Sequence, residues 1–483
     1  MFGDCTAGNA GGNAGGSRMS PGHVAIVGAG PAGMSAAIAA NKAGCKVTLL
    51  DEASRVGGQI YRRPISDVVA ASFTSHAEQK RKADLLAGFG AIASQIHHVP
   101  EAQVISAFAG PELQYVSNAT THTLRPDAVV LAAGVREKIF PFEGWTLPGI
   151  LGAGGAQSIL KAQMTVPGKR MVVAGAGPLP LIVAAQMLRA GVDVLALALL
   201  NSLAAFGKRP LSLLNGYETV LDGFGHLATI LLANTQRLKR YVPIRAEGRR
   251  QLEAVTLARV DAKGRALPNT EMTIETDVLA INYGFVANAE LAAMFGVEMK
   301  YGNLSGWHPK TDAFGRTSVP GVFACGDMAG LRGAFVAQSE GSIVGNAAAR
   351  FCAGDGPETQ IKETKTRARH QRFQKVVASS LTLPTGLWDL SLPNTTICRC
   401  EGISKKDVLA AFDQGHLLIN AVKRNTRCGM GWCGGHSCLH TVSHMATLRT
   451  QKAPPEPMTA RPLARPVSLA DLANAVTGEA DAT

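Results

Sequence analysis

Near its N-terminus the chain reads Val24-Ala25-Ile26-Val27-Gly28-Ala29-Gly30-Pro31-Ala32-Gly33, an apolar strand entering G-x-G-x-x-G, then a helix of small residues from Met34 to Asn41. Gly28 permits the tight turn, Gly30 lets backbone approach a pyrophosphate, and Gly33 lets helix and strand pack closely. The helix N-terminus offers free N–H groups and a positive dipole end to that pyrophosphate. A second strand, Lys46 to Leu50, ends at Asp51, where a carboxylate can accept hydrogen bonds from a ribose diol. Glycine turns are common, so it is the acid at the second strand's end that makes the stretch a dinucleotide fingerprint rather than a structural turn.

With 483 residues there is room for two to four domains, each with its own core. At 46% hydrophobic residues the chain is globular, and its low aromatic share of 5% suits thin, closely packed α/β layers. The formal charge of +12 favours anionic cofactors and substrates, but no basic stripe interleaved with aromatics argues for nucleic acid. The longest apolar run, Val194–Phe206, is interrupted by Asn201 and too short to cross a bilayer. Residues 1–20 are rich in Gly, Ala and Asn without an export pattern, and read as a disordered tail. Of nine cysteines, five fall between Cys398 and Cys438, a clustering that favours metal over disulfides and a reducing cytoplasm.

After Asp51 come Glu52 and then Gly57-Gly58-Gln59, paired glycines of a kind that lets backbone pass close to a ligand. Residues 62–100 read as polar helix, followed by strands at Gln103–Ala107, Leu113–Val116, Thr121–Leu124 and Ala128–Leu131, the last running into Ala132-Ala133-Gly134. The opening pattern returns at Arg170–Gly177 with a helix to about Ala190 and a strand at Val192–Leu199. Here Pro180 occupies the third glycine position, and the strand ends without a carboxylate for a ribose or an Arg for a 2′-phosphate. Further strands are expected near 252–260 and 271–282. Cys325 is a lone cysteine in a buried strand, and without a C-x-x-C dithiol in this part disulfide reduction is disfavoured. Lys362–Lys375 reads as a solvated basic helix.

The C-terminal region holds Cys398-Arg399-Cys400, a helix capped by Ser404, and Cys428-Gly429-Met430-Gly431-Trp432-Cys433-Gly434-Gly435-His436-Ser437-Cys438. Four thiolates can hold the two irons of a [2Fe–2S] cluster, and glycines let backbone N–H groups face its sulfides. Structural zinc is the competitor, although its usual C-x2-C knuckles are absent.

In the order Gly28/Gly30/Gly33, Asp51, Gly57-Gly58-Gln59, Ala132-Ala133-Gly134, Gly326-Asp327, the chain resembles two-dinucleotide-binding flavoproteins, the relatives of glutathione and thioredoxin reductases, over roughly residues 22–350. The resemblance implies an FAD site at Gly28, Gly30, Pro31, Ala32, Gly33, Asp51, Glu52, Gly58, Gln59, Ala133, Gly134, Gly326 and Asp327, and a second NAD(P)-like site whose occupancy the missing carboxylate puts in doubt. The cysteine segment resembles bacterioferritin-associated-ferredoxin-like [2Fe–2S] domains, which implies Cys398, Cys400, Cys433 and Cys438 as ligands, with Cys428 a spare thiol and the reserve candidate should one of these four not ligate. Taken whole, residues 22–470 resemble the α (A) subunit of heteromeric FAD-dependent opine, D-amino-acid and (hydroxy)proline dehydrogenases, with the B subunit of hydrogen cyanide synthase in the same group. That implies electron transfer here, oxidation of a C–N bond in an FAD-containing β subunit of the amine-oxidase type, and as further options an FMN at a subunit interface and a small γ subunit. Any contact with the inner membrane would run through these partners. A stand-alone NAD(P)H-dependent flavin/iron–sulfur oxidoreductase is the alternative, and a cluster with a sensing role a third reading.

The expected fold class is α/β: glutathione-reductase-like tandem Rossmann-type FAD and NAD(P)-like domains, plus a small mainly α C-terminal [2Fe–2S] domain. Expected boundaries are 21–148 with 286–352 for the FAD domain, 149–285 for the second nucleotide domain, 353–392 for a basic helical linker, 393–445 for the cluster domain, and 446–483 for a Pro-rich tail with a short helix.

Overall fold

In the computed structural model two parallel sheets carry the two nucleotide-type lobes. The structure describes residues 22–64, 73, 76–138, 140–201, 217–355, 364–380, 382–452, 456–457, 460 and 462–476. The expected N-terminal tail and the end of the apolar run at Phe206 lie outside them.

In the first lobe the strand order is Val322–Ala324, Ala128–Leu131, His23–Val27, Lys46–Leu50, His97–Val99, all parallel. Val24 through Ile26 are fully buried because both faces of the sheet are covered, Val24 and Ile26 by helices and Ala25 by the strands Gln103–Phe108 and Glu112–Ser117. One cover is the expected helix, Pro31–Lys42, with Pro31 at its first position, where the missing N–H costs nothing. It lies against a long helix, Ala334–Cys352, at backbone contact distance: a Cβ on Gly341 would overlap the Ala32 carbonyl oxygen, and one on Gly345 that of Ala36. Behind this lobe stands a sheet ordered Ala475–Val476, Thr120–Leu124, Glu112–Ser117, Gln103–Phe108.

The second lobe repeats the plan with Gln236–Lys239, Asp193–Leu199, Arg170–Gly175, Val278–Asn282 and Ile150–Gly152, again parallel. An antiparallel sheet of Tyr241–Glu247, Ala254–Arg259 and Met272–Glu275 backs it. The lobes are joined where Val135–Glu137 pairs with Phe285–Ala287. Pro180 sits in the first turn of helix Leu179–Arg189 and fills the space over Gly175, where a Cβ would come 2.9 Å from the Pro180 Cγ.

The basic segment contains helix Thr364–Ser380, and a 3-10 turn at Thr385–Leu390 inserts Leu387 into the second lobe's core and sets the Trp388 ring against Phe140. The cysteine-rich part has its own core of Ile397, Val408, Phe412, Ile419, Val422 and Val442. Its first helix, Lys405–Asp413, starts at a capping box in which Ser404 and Asp407 satisfy each other's backbone N–H groups. Its last, Leu439–Thr450, runs past residue 445. Among the described residues no helix is long and apolar enough to cross a membrane.

Candidate functional site

The glycine-rich turn opens one side of a cavity of about 240 Å³. Its walls include Gly28, Gly30, Pro31, Ala32, Asp51, Glu52, Gly58, Gln59, Ala133, Gly134, Gly326 and Asp327. Twelve of the thirteen residues expected at a dinucleotide site therefore converge. The thirteenth, Gly33, lies behind the wall, where a Cβ would overlap the carbonyl oxygen of Gly28. Gly30 and Gly58 lie backbone against backbone in the wall: a Cβ on Gly58 would come 2.7 Å from the Gly30 Cα, whereas one on Gly30 would meet only the Gly58 Cα, at 3.8 Å. This is a cradle held open by absent side chains beside a helix N-terminus, and it fits a pyrophosphate.

Two carboxylates of the wall are pinned by backbone amides. Asp51 accepts from the backbone N–H of Ala29, inside the glycine turn, and from that of Ala53 at 2.8 Å. Burial raises its pKa and the two amides oppose that rise. Asp327 accepts from the N–H of Arg332 at 2.8 Å and of Gly333 at 2.7 Å, which fixes the approach to helix Ala334–Cys352; burial likewise raises its pKa.

Sequence reasoning missed the rest of the cavity. Asn288, Glu290, His436, Ala464 and Arg465 also line it, from three separate stretches of chain. Arg136 ties the first three of these together. It bonds the His436 carbonyl oxygen at 3.0 Å and Asn288 Oδ1 at 2.9 Å, and pairs with Glu290 at 2.8 Å. Burial would raise the Glu290 pKa, yet Arg136 and His436 hold it below the usual carboxylate value. No local pattern announced these residues; only the fold brings them to the opening. A second cavity of about 510 Å³ adjoins, shares Glu290, His436 and Ala464, and is walled by Lys138, Trp307, Trp388 and His444. Burial pushes the Lys138 amine down to about 8.

His436 links this cavity to the cysteines, since it stands in the loop between Cys433 and Cys438. The sulfurs of Cys398, Cys428 and Cys438 lie within 4.8 Å of one another, all buried. Cys400 and Cys433 form a neighbouring pair in hydrogen-bond contact, with Cys400 exposed and Cys433 partly so. Backbone N–H groups of Gly429 and Glu401 face Cys398, that of Cys433 faces Cys400, and those of Ser437 and Gly435 face Cys433. Gly431 is packed so closely on Cys400 that a Cβ would overlap that of the cysteine. Soft thiolates in two facing pairs, ringed by amide donors, suit an iron–sulfur cluster. Of the expected ligands, Cys398 and Cys438 stand with Cys428 in the buried group, and Cys400 and Cys433 form the neighbouring pair.

Three comparisons bear on this arrangement. Residues 22–341 match the family described as pyridine nucleotide-disulphide oxidoreductase, and residues 396–446 match the BFD-like [2Fe-2S] binding domain. The chain is 31% identical over 425 residues to the HcnB subunit of hydrogen cyanide synthase from Pseudomonas protegens, covering 86% of this chain and 89% of that protein. It is 30% identical to the A subunit of opine oxidase from Agrobacterium tumefaciens, covering 93% and 91%. In fold it is similar to a crystal structure of L-proline dehydrogenase from P. horikoshii, with a TM-score of 0.68, 19% identity, and coverage of 94% of this chain and 79% of that one.

Proposed function

Because the chain belongs to the pyridine nucleotide-disulphide oxidoreductase family, in the group that holds the HcnB subunit of hydrogen cyanide synthase and the A subunit of opine oxidase, we propose that it is the electron-transferring subunit of a heteromeric dehydrogenase. Its substrate class is an opine, D-amino acid or (hydroxy)proline, whose C–N bond is oxidised in a separate FAD-containing subunit of the amine-oxidase type. FAD would be held by the cavity residues around Gly28, Gly30, Asp51 and Asp327, and a [2Fe–2S] cluster by Cys398, Cys400, Cys433 and Cys438. When bound, FAD exchanges two electrons and the cluster one, so the pair converts between the two regimes.

The observation that carries this reading is His436. It follows Cys433 in the cluster loop and forms part of the wall of the glycine-turn cavity, so the two candidate redox sites share a boundary. This chain's residues position the centres: Arg136 clamps the loop through the His436 carbonyl oxygen, and Glu290 neutralises the guanidinium. The exposed thiol Cys400, with Trp432 81% exposed beside Cys433, gives the cluster a face toward a redox partner.

Stopped-flow mixing tests the proposal. The complex co-purified with the products of neighbouring genes should show amine-driven reduction of both chromophores, while the isolated chain should oxidise no amine and react slowly with NADH. Full-rate amine oxidation by the isolated chain would refute the division of labour. Rapid flavin bleaching by NADH would support the stand-alone NAD(P)H-dependent oxidoreductase instead. Against that alternative stand two features: the strand Asp193–Leu199 ends on apolar residues, and among residues 22–341 the cysteines are Cys45 and Cys325, with no C-x-x-C pair.

A further inference from the structure

The second cavity, of about 510 Å³, has no role in the proposed electron transfer, and its size is that of a small-molecule site. Its wall carries polar groups with nothing to bond. Trp307 and Trp388 line it, and neither indole N–H has a hydrogen-bond partner; Nε2 of His444, also in the wall, has none either. Trp388 is only 7% exposed, so its N–H is withdrawn from bulk water as well. Buried donors are normally satisfied, and several unsatisfied ones around one cavity point to an occupant that accepts from them.

These groups converge. The His444 ring lies 4.5 Å from that of Trp388. Lys138 is near enough to His444 for its charge to act on that ring. The Lys138 ammonium donates to the Asn303 carbonyl oxygen at 3.1 Å, in the turn between strands Met299–Gly302 and Gly306–Pro309, and the second of these strands carries Trp307. No salt bridge reaches Lys138 among the described residues, and burial alone disfavours its charge. Arg136, by contrast, is paired with Glu290, and Arg427 with Glu401. Among the described residues of the wall Glu290 is the sole carboxylate, so donors and positive charge are in surplus. The remaining surface is flat or apolar: the Tyr301 ring stands 5.5 Å from that of Trp307, and Met294, Met299 and Leu439 lie alongside.

We propose that this cavity binds an aromatic monocarboxylate, whose two oxygens accept from the Lys138 ammonium and the indole N–H groups of Trp307 and Trp388, and whose ring lies among Tyr301, Met294 and Met299. A carboxylate fits better than a phosphate, because both guanidiniums of the wall are already spent on carboxylates. The site is separate from the proposed redox centres and does not depend on them, although it shares Glu290 and His436 with the glycine-turn cavity.

Isothermal titration calorimetry of the full chain with 2-naphthoate tests the site. The comparisons are the uncharged naphthamide, which keeps the ring, and inorganic phosphate, which keeps only charge. Naphthoate should bind once per chain, and both comparisons at least about tenfold more weakly, as loss of a charge-assisted hydrogen bond dictates. Lys138→Met should weaken naphthoate by a similar factor and leave naphthamide unchanged, and Lys138→Arg should restore most of the affinity. Trp388→Phe keeps a ring and removes the N–H, so it should cost about fivefold at an unchanged melting temperature. It keeps the proposal testable if Lys138→Met does not fold. Equal affinity of the wild type for naphthoate and naphthamide would overturn the proposal and leave an apolar pocket. Absence of naphthoate binding would overturn it too, and leave the donors to water. So would FMN recovered from the purified wild type and lost in Lys138→Met, which would assign the cavity to a resident cofactor.

Discussion

Gly33 and Gly30 are separated by two residues and do different work, which single substitutions should reveal. A Cβ on Gly33 would overlap the Gly28 carbonyl oxygen, and backbone there has nowhere to move. Gly33→Ala should therefore cost about 3 kcal/mol or more of stability, as forced overpacking does, and appear as a lowered unfolding midpoint of the chain even without cofactor. Gly30→Ala meets only the Gly58 Cα at 3.8 Å. Its methyl group enters the cavity, so the cofactor-free chain should melt normally while flavin content, read from visible absorbance, falls. If both variants lost stability equally, the cradle reading of Gly30 would be wrong. These glycines could be read from sequence because their reason is local: a turn, a close approach, a helix start. Glu290, His436 and Arg465 carry no such sign, since each is one ordinary polar residue delivered by a distant segment.

At the scale of elements, the helix Leu439–Thr450 joins the cluster domain to the second lobe. Its His444 ring lies 4.5 Å from the Trp388 ring, and Trp388, in the turn Thr385–Leu390, packs against Phe140 of the second lobe's core. Burial, aided by Lys138, lowers the His444 pKa to about 4 from 6.5. A base whose folded pKa is depressed leaves the unfolded state with more bound protons between those values, so stability is full above pH 6.5 and is lost as pH falls toward 4. His444→Phe keeps an aromatic ring on Trp388 and removes the titration. Its acid limb should be flatter than that of the wild type by up to about 3 kcal/mol, measured by denaturant unfolding between pH 7 and 4. Parallel acid limbs would show that His444 carries no linkage. Elements themselves were legible where periodicity was clear: Ala128–Leu131 coincides with its expected span, and Ser404 caps the helix expected after it. The strands Gln236–Lys239 and Tyr241–Glu247 had not been expected. Cationic residues dilute their pattern, and Pro243 stands where the register shifts, a residue tolerated only because that strand is an edge of its sheet.

Seen as a whole, the molecule is closed by its own C-terminal segment. The tail was expected to be extended with a short helix, but what it touches could not be read from a Pro-rich stretch with few apolar anchors. It crosses the first lobe: the Ala464 N–H bonds the Ile105 carbonyl oxygen at 2.6 Å and the Leu463 N–H bonds Ser106 Oγ at 3.3 Å. Ala464 and Arg465 complete the glycine-turn cavity, and the Arg465 guanidinium reaches Glu52 at 3.8 Å and His436 at 3.4 Å. Helix Leu469–Ala473 follows, and Ala475–Val476 then adds a parallel strand to Thr121–His122. One strap thus touches the nucleotide lobe, the cavity mouth and the cluster loop, whereas the cluster domain's core of Ile397, Val408, Phe412 and Val442 is complete without it. Ending the chain after Pro457 should therefore leave iron and sulfide content unchanged and speed the release of flavin, followed by fluorescence recovery after dilution. Arg465→Ala in the full-length chain should give a smaller change in the same direction, because it removes the charge at the mouth and leaves the strap's backbone bonds in place. Unchanged release in the truncated chain would mean that the cavity retains its contents through the glycine turn and Asp51 alone. Loss of iron on truncation would instead show that the cluster domain depends on the strap for its fold.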